Sequence, residues 1–205
     1  AYEIVDCDWS SDVCSSDLGL SLTQVKGLTA TQVTDLTATQ VAALAATQMA
    51  VLSATQIKGL EDADIIALTA SQLAGLTATQ IGGLSTANLS GLDTTSFQAL
   101  TATQVGGLTA TQIGGLTTTD IGEFSTTQVA ALSASQLGAL SVTDLAALSA
   151  TQVGSLASTA LRGLSAFQMR SLSPAAFAQL SATQVQGLTA TQVGSLSTSV
   201  IAGLT

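Results

Sequence analysis

From Leu20 onward the chain repeats every eight residues in the form LTATQVGG, and this period constrains the fold more than any other feature. Twenty-three units begin at Leu20, Leu28, Leu36 and so on to Leu196, and Leu204 and Thr205 open a further one. Position 1 of the octad is Leu throughout except at Phe124, and position 6 is always Val, Ile, Leu, Met or Phe. Eight residues cannot support themselves. Two large apolar side chains contribute about 3 to 6 kcal/mol when fully buried, against about 8 to 16 kcal/mol of backbone entropy. The units must therefore stack and share one core, as in a solenoid. No second period of two or three octads stands out at positions 7 and 8, so the number of octads per coil stays open at this level.

Val, Ile and Thr favour strands, but the apolar spacing is not period two. Position 2 is mostly Ser or Thr and position 5 mostly Gln, the pattern of a capping box. In that box the hydroxyl accepts from the N3 amide and the Gln side chain reaches back to the N-cap amide. In the same register positions 1 and 6 are the two halves of a hydrophobic staple. The exceptions agree. Pro174, the single proline, follows Ser173 at the first helical position, where a missing amide costs nothing. Glu61, Asp62, Asp64, Asp93, Asp120 and Asp144 occupy positions 2 to 5, whereas Lys26, Lys58, Arg162 and Arg170 all occupy position 7, as a helix macrodipole prefers. The expectation is an all-α solenoid of very short capped helices, one per octad over residues 20–205. The alternative is a β-solenoid. In the helical register positions 3, 6 and the next position 1 face inward, positions 4 and 7 face water, and small residues at positions 7 and 8 let the chain turn, Gly through a left-handed cap.

Residues 1–18, AYEIVDCDWSSDVCSSDL, differ sharply from the array. They hold both cysteines (Cys7, Cys14), Trp9, Tyr2 and five acids, Glu3, Asp6, Asp8, Asp12 and Asp17. This segment resembles a translated sequencing-adaptor read-through, which implies an artefactual leader over residues 1–19 outside the fold. The competing reading is a disulfide between Cys7 and Cys14, or a metal site shared with the acids. Two cysteines without histidine match no zinc spacing.

Composition excludes several functions. The net charge of -9, from 13 acids and 4 bases, disfavours a phosphate-binding surface, so no nucleic-acid partner is expected. Mean hydropathy is +0.51, yet polar residues recur every few positions and no run approaches the roughly 20 apolar residues of a membrane span. Histidine is absent, and the array's serines are equivalent caps with no base beside them, so no catalytic residue and no cofactor-binding residue is assigned. Glu61, Asp62 and Asp64 form the array's one acidic cluster, but without the spacing or glycine of a calcium loop they read as helix-start charge, and no metal ligand is assigned. Arg162 and Arg170 could form an anion patch and read better as solubility. Phe97, Phe124 and Phe177 stand at core positions; Phe167, at position 4, is expected to pack locally on Met169 or Arg170, the alternative being a contact point.

With the octad established, units such as LTATQVGG, LSASQLGA and LTTTDIGE resemble the Leu-Thr-x-x-Gln-Val-x-x arrays of very large repetitive bacterial surface or secreted proteins. That resemblance implies a noncatalytic spacer, or an adhesion or presentation scaffold, at the cell surface or outside it, with other surface proteins or self-association as possible partners. The unit opening is also similar to the start of the TAL effector repeat, without its period or basic surface. The TAT triplets at Thr29–Thr31, Thr37–Thr39, Thr77–Thr79 and Thr101–Thr103 resemble the threonine ladders of ice-binding β-solenoids. That reading requires extended chain, which alone puts both threonines on one flat face.

Overall fold

The computed structural model describes residues 19–202, so the leader readings, including those on Cys7 and Cys14, lie outside the described residues apart from Gly19. Among the described residues there are 23 helices of four to six residues and no strand, and the helices begin every eight residues from α1 (Leu22–Gly27) to α23 (Thr198–Ala202). The chain is an all-α solenoid, and the β-solenoid alternative falls with the strands it needs.

Each helix starts where the capping box predicts. In α11 (Ala102–Gly106) the N-cap Thr101 is extended, its hydroxyl accepts from the Gln104 amide, and the Gln104 side chain accepts from the Thr101 amide. Two groups that a helix start leaves unpaired are thereby satisfied within one turn. Pro174 opens α20 (Pro174–Phe177) behind its Ser173 cap, at the position its ring favours.

The corners are built differently from expectation. Helices of four or five residues are followed by a residue near right-handed helical geometry, as at Gly107 (φ -83°, ψ -10°), whereas six-residue helices run straight into an extended position 1, as at Leu116 (φ -66°, ψ 153°). Gly19, ahead of the first helix, is the one glycine with a positive φ among the described residues. The glycines of the array are therefore there for clearance. A Cβ on Gly163 would run into the Ala134 carbonyl oxygen one coil below, and one on Gly107 would lie 2.6 Å from the Ala78 Cβ. Small side chains at position 8 let each helix rest on position 3 of the helix beneath.

Three octads make one coil. Helix α1 packs on α4 (Ala46–Val51), α4 on α7 (Ala70–Gly75) and α7 on α10 (Thr94–Ala99). A second column contains α2 (Ala30–Thr34), α5 (Ala54–Ile57), α8 (Ala78–Ile81) and α11, and the third contains α6 (Asp62–Ile66), α9 (Thr86–Ser90), α12 (Ala110–Gly115) and α15 (Ala134–Ala139). Helices three apart in sequence are thus neighbours in space. Positions 7 and 8 concealed this period because all three columns make the same small-residue contacts.

The core is one continuous cluster running from Val25 to Val200, built on positions 1 and 6 and joined at position 5 by Ala160, Ala176 and Val200. Inside it Phe97 and Phe124, contributed by successive coils, meet with ring centroids 5.0 Å apart. One inward position differs from the helical-wheel expectation. Position 3 (Ala102, Ala110, Ala134) is only half-buried, whereas position 5 (Gln104, Gln112, Gln136) is buried. A helix of five or six residues has too few turns to bury a wide stripe; the coil below covers position 5 and the coil above brushes position 3.

Candidate functional site

The glutamines at position 5 carry most of the non-backbone chemistry of this molecule. Gln104 accepts from the Thr101 amide through Oε1 at 2.7 Å, while its Nε2 donates to the carbonyls of Leu73 at 2.6 Å and Leu76 at 2.7 Å. The same pattern recurs at Gln72, Gln80, Gln112 and Gln136, each reaching carbonyls 31 and 28 residues back. Those carbonyls lie at the end of a helix in the preceding coil; the position-6 carbonyl also accepts from the next position-1 amide, as Leu73 does from Leu76, and the position-1 carbonyl stands just past the helix. One side chain therefore caps two helices, its own at the start and an earlier one at the end. Gln24, Gln32 and Gln40, in the first coil, have no coil beneath them among the described residues. Their Nε2 groups make no hydrogen bond among the described residues, and Gln24 and Gln32 are exposed.

Where position 5 is shortened, this ladder breaks. Asn88 still accepts from the Ser85 amide at 2.9 Å, but its amide turns aside to donate to an Asp62 carboxylate oxygen at 2.7 Å. By register it should have reached the carbonyls of Ile57 and Leu60. The space left is a cleft of about 300 Å³ lined by Ile57, Leu60, Leu84, Lys58, Asp62 and Asn88 among others. Asp144 behaves alike: it accepts from Ser141 N at 3.0 Å and from the Thr118 hydroxyl at 3.1 Å. A carboxylate cannot donate to a carbonyl, so the rung is lost.

The acidic cluster does not converge. Glu61 is an N-cap without a side-chain cap bond, Asp62 is held by Asn88, and Asp64 is buried on the coil interface. No group of three or more acids, cysteines or histidines is arranged to hold a metal among the described residues. Arg162 is the C-cap after α18 (Ser158–Leu161) and Arg170 lies in the last turn of α19 (Ala166–Ser171), in different columns. Arg162 caps the coil above, its Nε donating to the Gly187 carbonyl at 3.0 Å. Phe167, at position 4, is 69% exposed, unlike the core-position Phe97, Phe124 and Phe177.

Threonines of a TAT triplet have separate tasks. Thr101 is an N-cap and Thr103 projects to solvent from the helix. The fold displaces the titration of Asp93: as N-cap of α10 it accepts the Ser96 amide at 2.7 Å, and that bond, aided by the Ser96 side chain, holds its carboxyl below the ordinary 3.8. No helix among the described residues is long and apolar enough to cross a membrane.

A family model described as the ALTTAQ repeat matches residues 115–150. The chain is a repeat protein. The six letters of that description correspond to position 8 followed by positions 1 to 5 of the octad, as in Ala131-Leu132-Ser133-Ala134-Ser135-Gln136. No curated protein matches the chain.

Proposed function

We propose that this array is a noncatalytic spacer or presentation scaffold of a bacterial extracellular protein, its length set by the number of coils. The observation carrying this reading is the use of the polar side chains. The Ser or Thr at position 2 and the Gln at position 5 of most units are engaged in capping helices and tying coils together, and no group of three or more acids, cysteines or histidines is arranged to hold a metal among the described residues. Stacked repeats add length at nearly constant cross-section, since each coil contacts only its neighbours. The resemblance of LTATQVGG units to arrays of large repetitive surface proteins supports the extracellular setting.

The test places the array between a bacterial surface anchor and an epitope, in versions lengthened or shortened by whole coils of three octads. Epitope accessibility to antibody should rise steadily with coil number. Accessibility independent of coil number would overturn the spacer reading.

A further inference from the structure

The cleft beside Asn88 holds unmet hydrogen-bonding capacity as well as space. Where position 5 is Gln, as at Gln80 and Gln104, two carbonyls of the preceding coil each accept its amide. Here the Ile57 carbonyl keeps only the Leu60 amide, at 3.2 Å, and no hydrogen bond reaches the Leu60 carbonyl among the described residues. Asn88 cannot serve them. The Ser85 amide and hydroxyl hold its Oδ1 at 2.9 and 2.7 Å, and its Nδ2 is turned to Asp62.

Two opposite charges line the same cleft. Arg162, at position 7, reaches a carbonyl of the coil above, but Lys58 at the same position does not. The Lys58 Cε lies 3.6 Å from where a Cβ on Gly83 would stand, and its ammonium has no hydrogen bond or ion pair among the described residues. Asp62 gives Oδ1 to Asn88 and keeps Oδ2 unbonded among the described residues. Ile57, Leu60 and Leu84 supply the apolar wall.

We propose that this cleft binds a small amino acid, a zwitterion with one ammonium and one carboxylate on a short apolar body. The ammonium carries three donors and no acceptor, matching the carbonyls of Ile57 and Leu60 and the open oxygen of Asp62. It supplies the donor that every Gln unit carries at this level and that Asn88 withdraws. The carboxylate meets Lys58. A simple cation would leave Lys58 unanswered and a simple anion would face Asp62, so the charge pattern selects a ligand of both signs. The volume, about 300 Å³, is at the small end of the roughly 300 to 1,000 Å³ of ligand sites, which restricts the body to a few carbons. The proposal goes beyond the spacer reading, which needs no ligand.

Saturation-transfer NMR on the full chain tests it, with glycine, β-alanine and 4-aminobutyrate as zwitterions and propylamine and propionate as their single-charge counterparts. At least one zwitterion should bind, and each counterpart should bind about tenfold more weakly for the charged contact it lacks. Asn88→Gln places the chain's own amide on the two carbonyls and should abolish binding. Lys58→Met should weaken the zwitterion to the level of propylamine and leave propylamine as in the parent. Both variants keep the fold, since Asn88→Gln restores the residue of most units and Lys58 is exposed, and circular dichroism checks this. No saturation of any of the three zwitterions by the parent overturns the proposal. So does binding undiminished in Asn88→Gln, or a zwitterion that binds Lys58→Met as it binds the parent.

Discussion

Replacing Gln104 separates the two tasks assigned to position 5. Gln104→Leu removes the bond from the Thr101 amide and both bonds to the Leu73 and Leu76 carbonyls, at a residue that is 2% exposed. At a net ~0.5 to 1.5 kcal/mol per bond the loss is about 2 to 4 kcal/mol, offset by about 1 kcal/mol of added apolar burial. Gln32→Leu removes only the bonds from the Thr29 amide and hydroxyl at an exposed side chain, so its cost is about 1 kcal/mol or less. Thr101→Ala, which deletes the hydroxyl cap alone, falls between, at about 0.5 to 2 kcal/mol. Gln104→Glu isolates the ladder. It keeps the acceptor for the box but sets a carboxylate against two carbonyls, so it should destabilise at least as much as Gln104→Leu at neutral pH. Urea unfolding followed by circular dichroism gives the global ranking. Native-state hydrogen exchange at the amides of Thr101 and Gln104 gives the local one, which matters because repeat arrays can open in parts. Equal losses for Gln104→Leu and Gln32→Leu would refute the claim that the glutamine ties successive coils.

Asn88→Gln should restore the missing rung to Ile57 and Leu60, fill the cleft and raise stability by about 1 kcal/mol in urea unfolding, despite the lost Asp62 bond. Gly163→Ala should destabilise by more than about 1 kcal/mol, because the new Cβ meets backbone oxygen, whereas Gly106→Ala, with its nearest neighbour at 3.5 Å, should gain up to about 1 kcal/mol from helix propensity. Thermal scans of the pair read the contrast directly. Asp93 gives a pH dependence: because folding lowers its pKa below 3.8, its contribution is complete above that value and is lost as pH falls through the lower, folded value. Stability against pH in Asp93→Asn should lack that acid-side component, and an unchanged acid slope would contradict the assignment.

The helical register could be read from local chemistry. Ser or Thr at position 2, Gln at position 5, Pro174 at the first helical position and the bases at position 7 each obey rules that act within one turn, and the helices start where those rules put them. The three-octad coil was not legible, because it depends on contacts between near-identical units that leave no distinct mark at positions 7 and 8. A hint of the ladder was present all the same. A capping box is served equally by Glu, yet position 5 is never Glu and is Gln in fifteen units of 23. The surplus requirement is for a donor. Overlooking it put position 3 in the core in place of position 5. The corner glycines misled for a related reason: glycine answers both a positive φ and a close approach, and only the packed coils, with Gly163 against Ala134, distinguish the two. Asn88 differs from the Gln of most units by one methylene. One methylene decides whether the amide crosses to the preceding coil or opens a cleft.

Three octads per coil is the claim on which the rest depends, and spin-label proximity tests it most directly. Thr79, Thr95 and Thr103 are all exposed at position 4, with Thr79 and Thr103 in one column and Thr95 in another. Pairs of labels are introduced at 79 and 95 and at 79 and 103, with Cys7 and Cys14 replaced by Ser. Packed helices lie roughly 8 to 10 Å apart, so the 79/103 pair, separated by three octads of sequence, should show the stronger dipolar broadening. The 79/95 pair, separated by only two, should show the weaker. The opposite order, or broadening that simply weakens with sequence separation, would contradict the three-octad coil.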